Sequence, residues 1–565
     1  MAHRVANTAF GLLDEIAPRR TGAALVLEVL RSEGVRYIFG NPGTTELPLL
    51  NALHGVQDIA YILGLQEASV VAMADGYAKA SGQTGFVNLH TAGGLGHAMG
   101  AIIHSQTANT PLVITAGQQD TRHSFMDPLL YGDLVGIARP VVKWAREVAH
   151  PEHLPVLLRR AFNDSKAAPS GPVFLGLPTN VLEQETTASA GEASRIERAA
   201  VAGGLEDLAD ACAVVRPGRL AIIAGDEVFT ANASLETVQL AEVLGAPVFG
   251  SSWPSYLPFP TSHPLWNGSL PTKATDIRAR LRDFDAVLAL GGHSLITYPY
   301  SEGPALPPTC GLLQLSADAH GLGRVYSTTL SCLGDIKASL RVLLPILSRK
   351  ITPHRAERAN TTRHAELKSR AAAEMDAAAI TPLAAAYEVT RAIGSRAAIV
   401  DESPVTMEYV RSALRTVSSR QYFFMRSAIL GWGMPAAVGV SLGLDREPVV
   451  SLVGDGSSLY SPQALWTAAR EQLPVTFVVM NNREYNILKN YMRAQERYAS
   501  ASAGRFIGMD LTEPAIDFLA LATSMGVPAM RVERASEIAG AVENGVASGL
   551  PNLIEVRIGA AATTH

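Results

Sequence analysis

Cysteine is scarce in this chain: there are three cysteines in 565 residues, and none of them forms a CxxC pair. A disulfide framework and a cysteine-based zinc site are therefore not indicated. The chain also lacks a large excess of positive or negative charge, since the formal net charge is −5 and the pI is near 6.3. A chain without a basic bias is not expected to bind nucleic acid.

Long hydrophobic runs are absent as well. No apolar stretch approaches the ~18–20 residues that a membrane-spanning helix needs, so no membrane association is expected. The first 20 residues include basic side chains, but their apolar segment is broken and carries Asp14 and Glu15. This pattern does not fit a secretory signal. We expect a loose N-terminal extension on a soluble, cytoplasmic protein.

Helical and strand patterns alternate along the chain in three blocks, which predicts three α/β domains, each with a doubly wound parallel sheet. The length and an apolar content of 47% suffice for several buried cores. Composition changes between the blocks suggest these limits: an extension at 1–20, a first domain at 21–190, a middle domain at 205–345, a polar linker at 346–380 and a third domain at 381–560.

The most informative stretch contains two apolar runs that each end in polar residues. The first run leads into a Gly-Asp-Gly turn at Asp455, and the second ends in an Asn-Asn pair at Asn482. If the runs are neighbouring parallel strands, both side chains lie at the same edge of a sheet. A carboxylate and an amide oxygen beside a glycine turn suit Mg²⁺ carrying a diphosphate. A lone Gly-Asp-Gly would be only a turn, and the asparagine pair favours the binding site.

The GDG and NN segments resemble the motif of thiamine-diphosphate enzymes. The resemblance implies that Asp455 and Asn482 bind the metal through side chains and Glu484 through its backbone carbonyl. It also implies that Leu430 bends the cofactor and that the carbonyl of Ala428 holds its 4′-amino group, although packing in a glycine-rich turn would explain both residues. The other positions that the resemblance assigns to the cofactor are Gly454, Gly456, Ser457, Tyr485 and Ile487.

Glu67 follows a predicted buried strand in apolar surroundings, which suits a carboxyl group that shares or donates a proton. Without the resemblance, a helix-capping acid would be the favoured interpretation. The resemblance implies instead that Glu67 hydrogen-bonds N1′ of the aminopyrimidine and so promotes loss of the thiazolium C2 proton. Because Glu67 and the diphosphate motif lie in different domains, the resemblance further implies a site between two subunits, in a homodimer or a homotetramer.

Segments such as FGNPGTTELP, NLHTAGGLGHAMGA and GDGSSLYSPQALWTAA resemble the benzoylformate decarboxylase branch of the family over nearly the whole chain. The resemblance implies that His90 handles protons, a task that suits an imidazole. It places Thr44 where that branch has a serine that contacts the substrate carboxylate. His97 and His104, on the helix predicted at 95–107, are further imidazoles, although a helical histidine is more often structural.

A second active-site histidine of that branch corresponds to Tyr298 here, while His293 lies five residues away and its reach is left open. Pro404 and Val405 replace hydroxylated residues and make that wall less polar. Ile487 and Tyr491 are expected to line the same pocket. These departures leave the substrate open.

The resulting hypothesis is an enzyme that depends on thiamine diphosphate and Mg²⁺ and decarboxylates a small 2-oxo acid without oxidation. An aromatic 2-oxo acid such as benzoylformate is the first candidate, and carboligation is an expected side activity. The alternatives are an acetolactate-synthase-like carboligase, some of which bind FAD in the middle domain, and a 2-hydroxy-ketone lyase. A non-catalytic family member is a third possibility, which the presence of Glu67, Asp455 and Asn482 disfavours.

Overall fold

The computed structural model describes residues 19–201, 203–351, 359–495 and 497–559. In these ranges the chain forms three six-stranded sheets, each with all of its strands parallel, and one antiparallel strand pair. Helices alternate with the strands in all three domains. The predicted fold class is thereby confirmed. The predicted extension at 1–20 lies almost wholly outside the described residues.

The first domain contains the antiparallel pair and one parallel sheet. Its strands are β1 (Arg20–Thr21), β2 (Tyr37–Gly40), β3 (Ala60–Leu63), β4 (Gly85–Leu89), β5 (Leu112–Gln118), β6 (Ala145–Glu147), β7 (Val173–Pro178) and β8 (Glu185–Thr186). Its helices are α1 (Gly22–Ser32), α2 (Leu47–Ala52), α3 (Glu67–Ser81), α4 (Thr91–Thr107), α5 (Leu134–Ala138), α6 (Leu154–Lys166) and α7 (Thr179–Glu183). The sheet order is β3-β2-β4-β5-β7-β6, and β1 pairs with β8.

The middle domain repeats this plan with shorter elements. Its strands are β9 (Leu220–Ala224), β10 (Val248–Gly250), β11 (Trp266–Ser269), β12 (Ala286–Leu290), β13 (Gly311–Ser316) and β14 (Leu330–Leu333). Its helices are α8 (Leu205–Ala213), α9 (Asp226–Thr230), α10 (Ser234–Leu244), α11 (Ala274–Leu281) and α12 (Ile336–Lys350), and α13 (Ala359–Ala373) follows in the predicted linker. The sheet order is β11-β10-β9-β12-β13-β14.

The third domain holds the Gly-Asp-Gly motif. Its strands are β15 (Ala398–Glu402), β16 (Tyr422–Phe424), β17 (Val449–Gly454), β18 (Val475–Asn481), β19 (Ala529–Val532) and β20 (Asn552–Arg557). Its helices are α14 (Pro382–Ile393), α15 (Met407–Ala413), α16 (Gly433–Gly443), α17 (Asp455–Ser458), α18 (Ala464–Arg470), α19 (Asn486–Arg493), α20 (Ala499–Ala503), α21 (Phe518–Ser524) and α22 (Ala535–Ala547). The sheet order is β16-β15-β17-β18-β20-β19.

Strands β17 and β18 are neighbours in the centre of the third sheet. They pair in parallel with Gly454 opposite Met480, so both strands end at the same edge. Almost all of their side chains are buried, as the apolar runs in the sequence predict. The expected meeting of the Gly-Asp-Gly turn and the Asn-Asn pair at one sheet edge is therefore observed.

Helix α4 begins four residues earlier than predicted, at Thr91 rather than at residue 95. The added turn is glycine-rich, which lowers its intrinsic helix propensity. Burial of Leu95, Ala98 and Ile102 against the first sheet supplies the stabilisation that the local sequence lacks. Across the described ranges, the model contains no helix with the length and apolarity that a bilayer crossing demands.

The first and third domains meet where α3 crosses α16. A side chain on Gly439 would overlap the carbonyl oxygen of Met73, and one on Gly76 would overlap the carbonyl oxygen of Ala436. The two helix backbones are therefore in direct contact, which only glycine permits. This contact fixes how the first domain sits on the third within one chain.

Substituting Gly439 by alanine should break this contact. We expect Gly439→Ala to destabilise the protein by about 1–3 kcal/mol, because the added methyl group forces the helices apart. Gly540, inside α22, has open space where its side chain would be, and so Gly540→Ala is the matched control. Thermal unfolding measures both variants. A melting temperature for Gly439→Ala that matches that of the control would contradict the proposed packing role.

Candidate functional site

A cavity of about 320 Å³ opens at the edge of the third sheet where β17 and β18 end. Its walls come from the third domain and from two aromatic residues of the middle domain, Trp253 and Tyr298. Apart from Glu67, every residue predicted to bind the cofactor or the metal lines this cavity: Ala428, Leu430, Gly454, Asp455, Gly456, Ser457, Asn482, Glu484, Tyr485 and Ile487.

Asp455 lines the cavity and is buried at the start of α17. Its Oδ1 accepts a hydrogen bond from the backbone N–H of Gly456 at 2.8 Å, and its Oδ2 accepts one from that of Arg483 at 2.6 Å. Burial raises the pKa of this carboxyl to about 6, against the opposing effect of the backbone donors. Asn482 Oδ1 accepts from the backbone N–H of Glu484 at 3.2 Å. These oxygens form the hard donor set that Mg²⁺ prefers.

The side chain of Glu484 forms an ion pair with Lys489, so it is not expected to bind the metal. Lys489 also pairs with Asp510 at 2.5 Å. The Oε2 atom of Glu484 is engaged in this ion pair, and the predicted metal contact through the backbone carbonyl of Glu484 stays a prediction. Gly456 faces the ring of Tyr485 so closely that a side chain at this position would force the ring to shift.

Ala428 and Leu430 lie on a bent loop that runs from Ser427 to the start of α16. Ala428 adopts a positive φ of 57°, which is uncommon for a residue with a side chain. Ser427 Oγ accepts the backbone N–H of Ile429 at 3.1 Å and stabilises the bend. Strained backbone of this kind is concentrated at ligand sites.

Glu402 holds the other end of the same loop and is a residue that the sequence reasoning missed. It is fully buried at the end of β15, and its two carboxylate oxygens accept the backbone N–H groups of Gly431, at 2.6 Å, and of Gly433. Burial raises its pKa to about 8, against the opposing effect of these donors. The sequence feature that could have indicated Glu402 is an acidic residue at the end of a strand, next to the predicted site.

A buried polar cluster ties the first domain to this loop. Lys79 Nζ lies 2.9 Å from Asp75 Oδ1 and donates to His104 Nε2 at 3.0 Å, while Trp432 Nε1 donates to Asp75 Oδ1 at 2.9 Å. Burial, together with the charge of Lys79, lowers the pKa of His104 to about 3. The imidazole is therefore neutral, and its Nδ1 donates to Ser427 Oγ at 2.7 Å. His104 occupies a structural position.

Glu67 lies at the first turn of α3, in the first domain. Its Oε1 accepts a hydrogen bond from Asn41 Nδ2 at 3.1 Å, and its Oε2 lies 3.2 Å from His97 Nδ1. The carboxylate is mostly buried, whereas His97 is exposed. His97 is thus the helical imidazole that lies beside Glu67, and the sequence had given no preference between it and His104.

His90 lies at the end of β4, and its Nδ1 is 2.8 Å from Glu46 Oε2. Glu46 is buried and accepts three further hydrogen bonds, from Thr45 Oγ1 and from the backbone N–H groups of Gly43 and Gly117. A carboxylate so surrounded fixes the proton of the imidazole on Nδ1, which directs Nε2 outward. Glu46 was not singled out in the sequence, and no local pattern marks it.

Thr44 lies at the exposed start of the short 3₁₀ turn Thr44–Glu46, next to the His90–Glu46 pair. Within one chain, Thr44, Glu67 and His90 do not line the cavity that holds Asp455. The predicted residues therefore form two half-sites, one in the first domain and one in the third.

Tyr298 reaches the cavity from the middle domain, and its ring packs edge-on against Tyr491 with the centroids 6.0 Å apart. His293 does not line this cavity. Its Nε2 lies 3.8 Å from Asp318 Oδ2 in a separate cleft of the middle domain. Within one chain, His293 therefore lies outside the cavity that holds Asp455.

Three family models match the chain in sequence order. The N-terminal thiamine pyrophosphate binding domain matches residues 20–129, the central domain of the same enzymes matches 213–343, and the C-terminal thiamine pyrophosphate binding domain matches 405–556. The chain belongs to the thiamine pyrophosphate enzyme family.

Known members of this family resemble the chain over nearly its whole length. The benzoylformate decarboxylase of Pseudomonas aeruginosa is 33% identical and aligns with 94% of this chain and 97% of its own. A putative acetolactate synthase large subunit of Mycobacterium tuberculosis is 26% identical over 95% of this chain and 98% of its own. The 4-hydroxybenzoylformate decarboxylase structure from Rhodococcus jostii has a TM-score of 0.84 and 30% identity, covering 96% of this chain and all (100%) of that one.

The loop function of Glu402 is testable in this thiamine pyrophosphate enzyme. We expect Glu402→Gln to keep the fold but to lower turnover by about tenfold to a hundredfold, because an amide cannot accept both loop N–H groups and the cofactor contacts shift. Steady-state kinetics and a thiamine diphosphate titration measure the effect. Glu447→Gln, an exposed acid of the third domain that lines neither this cavity nor another one, is the matched control. Wild-type turnover and cofactor affinity in Glu402→Gln would refute the assignment.

Proposed function

We propose that this thiamine pyrophosphate enzyme is a Mg²⁺-dependent, non-oxidative decarboxylase of a 2-oxo acid, with an aromatic acid such as benzoylformate as its first substrate. Carboligation is the proposed side activity. The observation that carries the proposal is the division of one cavity into a polar end, at Asp455 and Asn482, and an apolar, aromatic end. Similarity to two decarboxylases of benzoylformates supports the same choice.

The polar end fits thiamine diphosphate and its metal. Asp455, Asn482 and the carbonyl of Glu484 would hold Mg²⁺, and the backbone next to Gly456 would approach the diphosphate without a side chain in the way. Ala428 and Leu430 would contact the aminopyrimidine. Bound thiamine diphosphate would supply the carbon nucleophile and the electron sink that decarboxylation requires.

We further propose that the site is completed by a second copy of the chain in a homodimer or a homotetramer. Glu67 is not among the residues that line the cavity of its own chain, and no described residue of the first domain is. In the chain, the half-site of the first domain is followed by an exposed apolar segment that ends at Gly132. In this segment, Phe125 is 81% exposed and Leu129 is 85% exposed. Its last residue, Gly132, packs on Ala92 beside His90. Exposed apolar surface at this position fits an interface between subunits.

His90 is the proposed proton carrier. Glu46 holds Nδ1–H, so Nε2 is the atom that would take up or deliver a proton. Thr44 is the proposed contact for the substrate carboxylate through its hydroxyl group. Tyr298 can donate a hydrogen bond from the opposite side, but a phenol does not exchange protons near neutral pH as an imidazole does.

The apolar end of the cavity supports an aromatic substrate. Its wall includes Pro404, Val405, Ile487, Tyr298 and Tyr491, and an aromatic ring packs favourably against such side chains. A charged or strongly polar substrate chain would find few partners there.

An acetolactate-synthase-like carboligase is the second candidate, supported by relatives that carry that name. The structure of the middle domain does not favour a bound dinucleotide such as the FAD of some carboligases. At the edge of its sheet, where α/β domains bind phosphates, the carboxylate of Glu227 accepts the backbone N–H groups of Gly292 and Ala317, both at 2.8 Å, and the hydroxyl of Ser316 at 2.7 Å. An internal carboxylate thus takes the donors that a phosphate would use.

The substrate can be tested by ¹H NMR on purified enzyme with thiamine diphosphate and Mg²⁺, incubated separately with benzoylformate, pyruvate and a branched-chain 2-oxo acid. We expect benzaldehyde from benzoylformate to form fastest, because the cavity wall favours an aromatic ring. Acetolactate from pyruvate as the main product would replace the proposal with the carboligase. No turnover of any acid would reject the aromatic substrate.

The two-chain site can be tested by mixing subunits. Glu67→Gln and Asp455→Asn should each be nearly inactive alone, because each disables one half-site. Co-expressed, they should regain about a quarter of wild-type activity, since half of the dimers are mixed and each of these has one intact site. Each variant co-expressed with wild type is the control. Absence of any recovery in a mixture shown to contain mixed dimers would exclude the shared site.

A further inference from the structure

A second cavity, of about 770 Å³, lies between the middle domain, α13 and α15. It shares no lining residue with the reaction cavity. Among its described lining residues, three carboxylates (Asp276, Glu366 and Glu408) face a larger set of cations: Arg280, Arg282, Arg363, Arg370, Arg411 and Arg415. His364 lies among them, and burial together with the charge of Arg415 lowers its pKa. The cavity therefore carries an excess of positive charge.

Arg280 and Arg363 converge on a single neutral acceptor. Arg280 Nη2 donates to the backbone carbonyl of Asn267 at 3.1 Å, and Arg363 Nη1 donates to the same oxygen at 2.5 Å. In the part of the chain that the structure describes, the acceptor of both guanidinium groups is this carbonyl and not a carboxylate, and Glu366 acts on Arg363 through its charge alone. Burial lowers the pKa of both groups, and repulsion from Arg280 lowers that of Arg363 further. Two like charges held together need an anion to offset their repulsion.

Arg411, which also lines this cavity, provides a second, independent observation. This residue is 8% exposed and stacks on the ring of Phe424, with its guanidinium carbon 4.1 Å from the ring centroid. Its Nε donates to the hydroxyl of Tyr422 at 3.0 Å, but its buried Nη2 has no hydrogen-bond partner among the described residues. A buried guanidinium N–H without a partner is costly unless a ligand accepts from it.

We propose that this cavity is a binding site for a small anion that carries phosphate or carboxylate groups. Arg280 and Arg363 would bind one anionic group through their remaining N–H donors, in the planar geometry that guanidinium offers to such oxygens. Arg411 would donate to the anion through Nη2. The site is separate from the cofactor site and does not depend on which 2-oxo acid the enzyme decarboxylates.

Isothermal titration calorimetry tests the site on the holoenzyme, saturated with thiamine diphosphate and Mg²⁺ so that the diphosphate site is filled. The probes are inorganic phosphate and succinate, in a buffer without other multivalent anions. We expect saturable binding of at least one probe, and the tighter probe identifies the chemical class. Arg280→Gln with Arg363→Gln should weaken this binding by about tenfold or more, as expected for loss of charge-assisted bonds.

The matched control is the double variant Arg349→Gln with Arg420→Gln, which removes two exposed arginines that do not line the cavity. It should bind the probes as the wild type does. Equal weakening in both double variants, or no saturable binding of either probe to the wild type, would overturn the proposal. If the first double variant fails to fold, Arg363→Gln alone serves, with the same expected direction and the same criterion.

Discussion

The direct backbone contact between α3 and α16 is the constraint on which the arrangement of the functional residues depends. Gly76 and Gly439 let the two helices approach without side chains between them. Glu67 begins one of these helices, and the loop that carries Ala428 and Leu430 leads directly into the other. One packing contact therefore fixes the position of both half-sites within a chain.

The same contact is consistent with the proposed two-chain site. A helix pair in backbone contact has no space for a cofactor, so Glu67 and Asp455 are held in separate surroundings. The buried cluster of Lys79, Asp75 and His104 reinforces this separation by linking the first domain to Ser427 through hydrogen bonds. Buried charges are costly without their partners, so this cluster favours one arrangement of the first domain on the loop.

The sequence predicts that β17 and β18 are buried strands that end at one sheet edge, because this depends on local patterns. A buried parallel strand is a short apolar run, and the polar residues after β17 and β18 occur where such runs stop. The edge strands β6, β14 and β19 are not predicted from the sequence, because they are short and only partly buried and so do not form apolar runs. The start of α4 is missed for a related reason: packing of its later turns, not local propensity, makes the glycine-rich first turn helical.

Glu46 and Glu402 show what the sequence cannot reveal about the site. Each is a buried acid whose hydrogen-bond partners include residues distant in the chain, Gly117 in one case and Gly431 in the other. No spacing rule connects such residues, because the connection is made by the fold. Both acids hold other groups in place: Glu46 orients His90, and Glu402 shapes the loop around Leu430. Motifs therefore indicate candidate groups for contact with the cofactor, while the residues that set the geometry of these groups emerge only from tertiary structure.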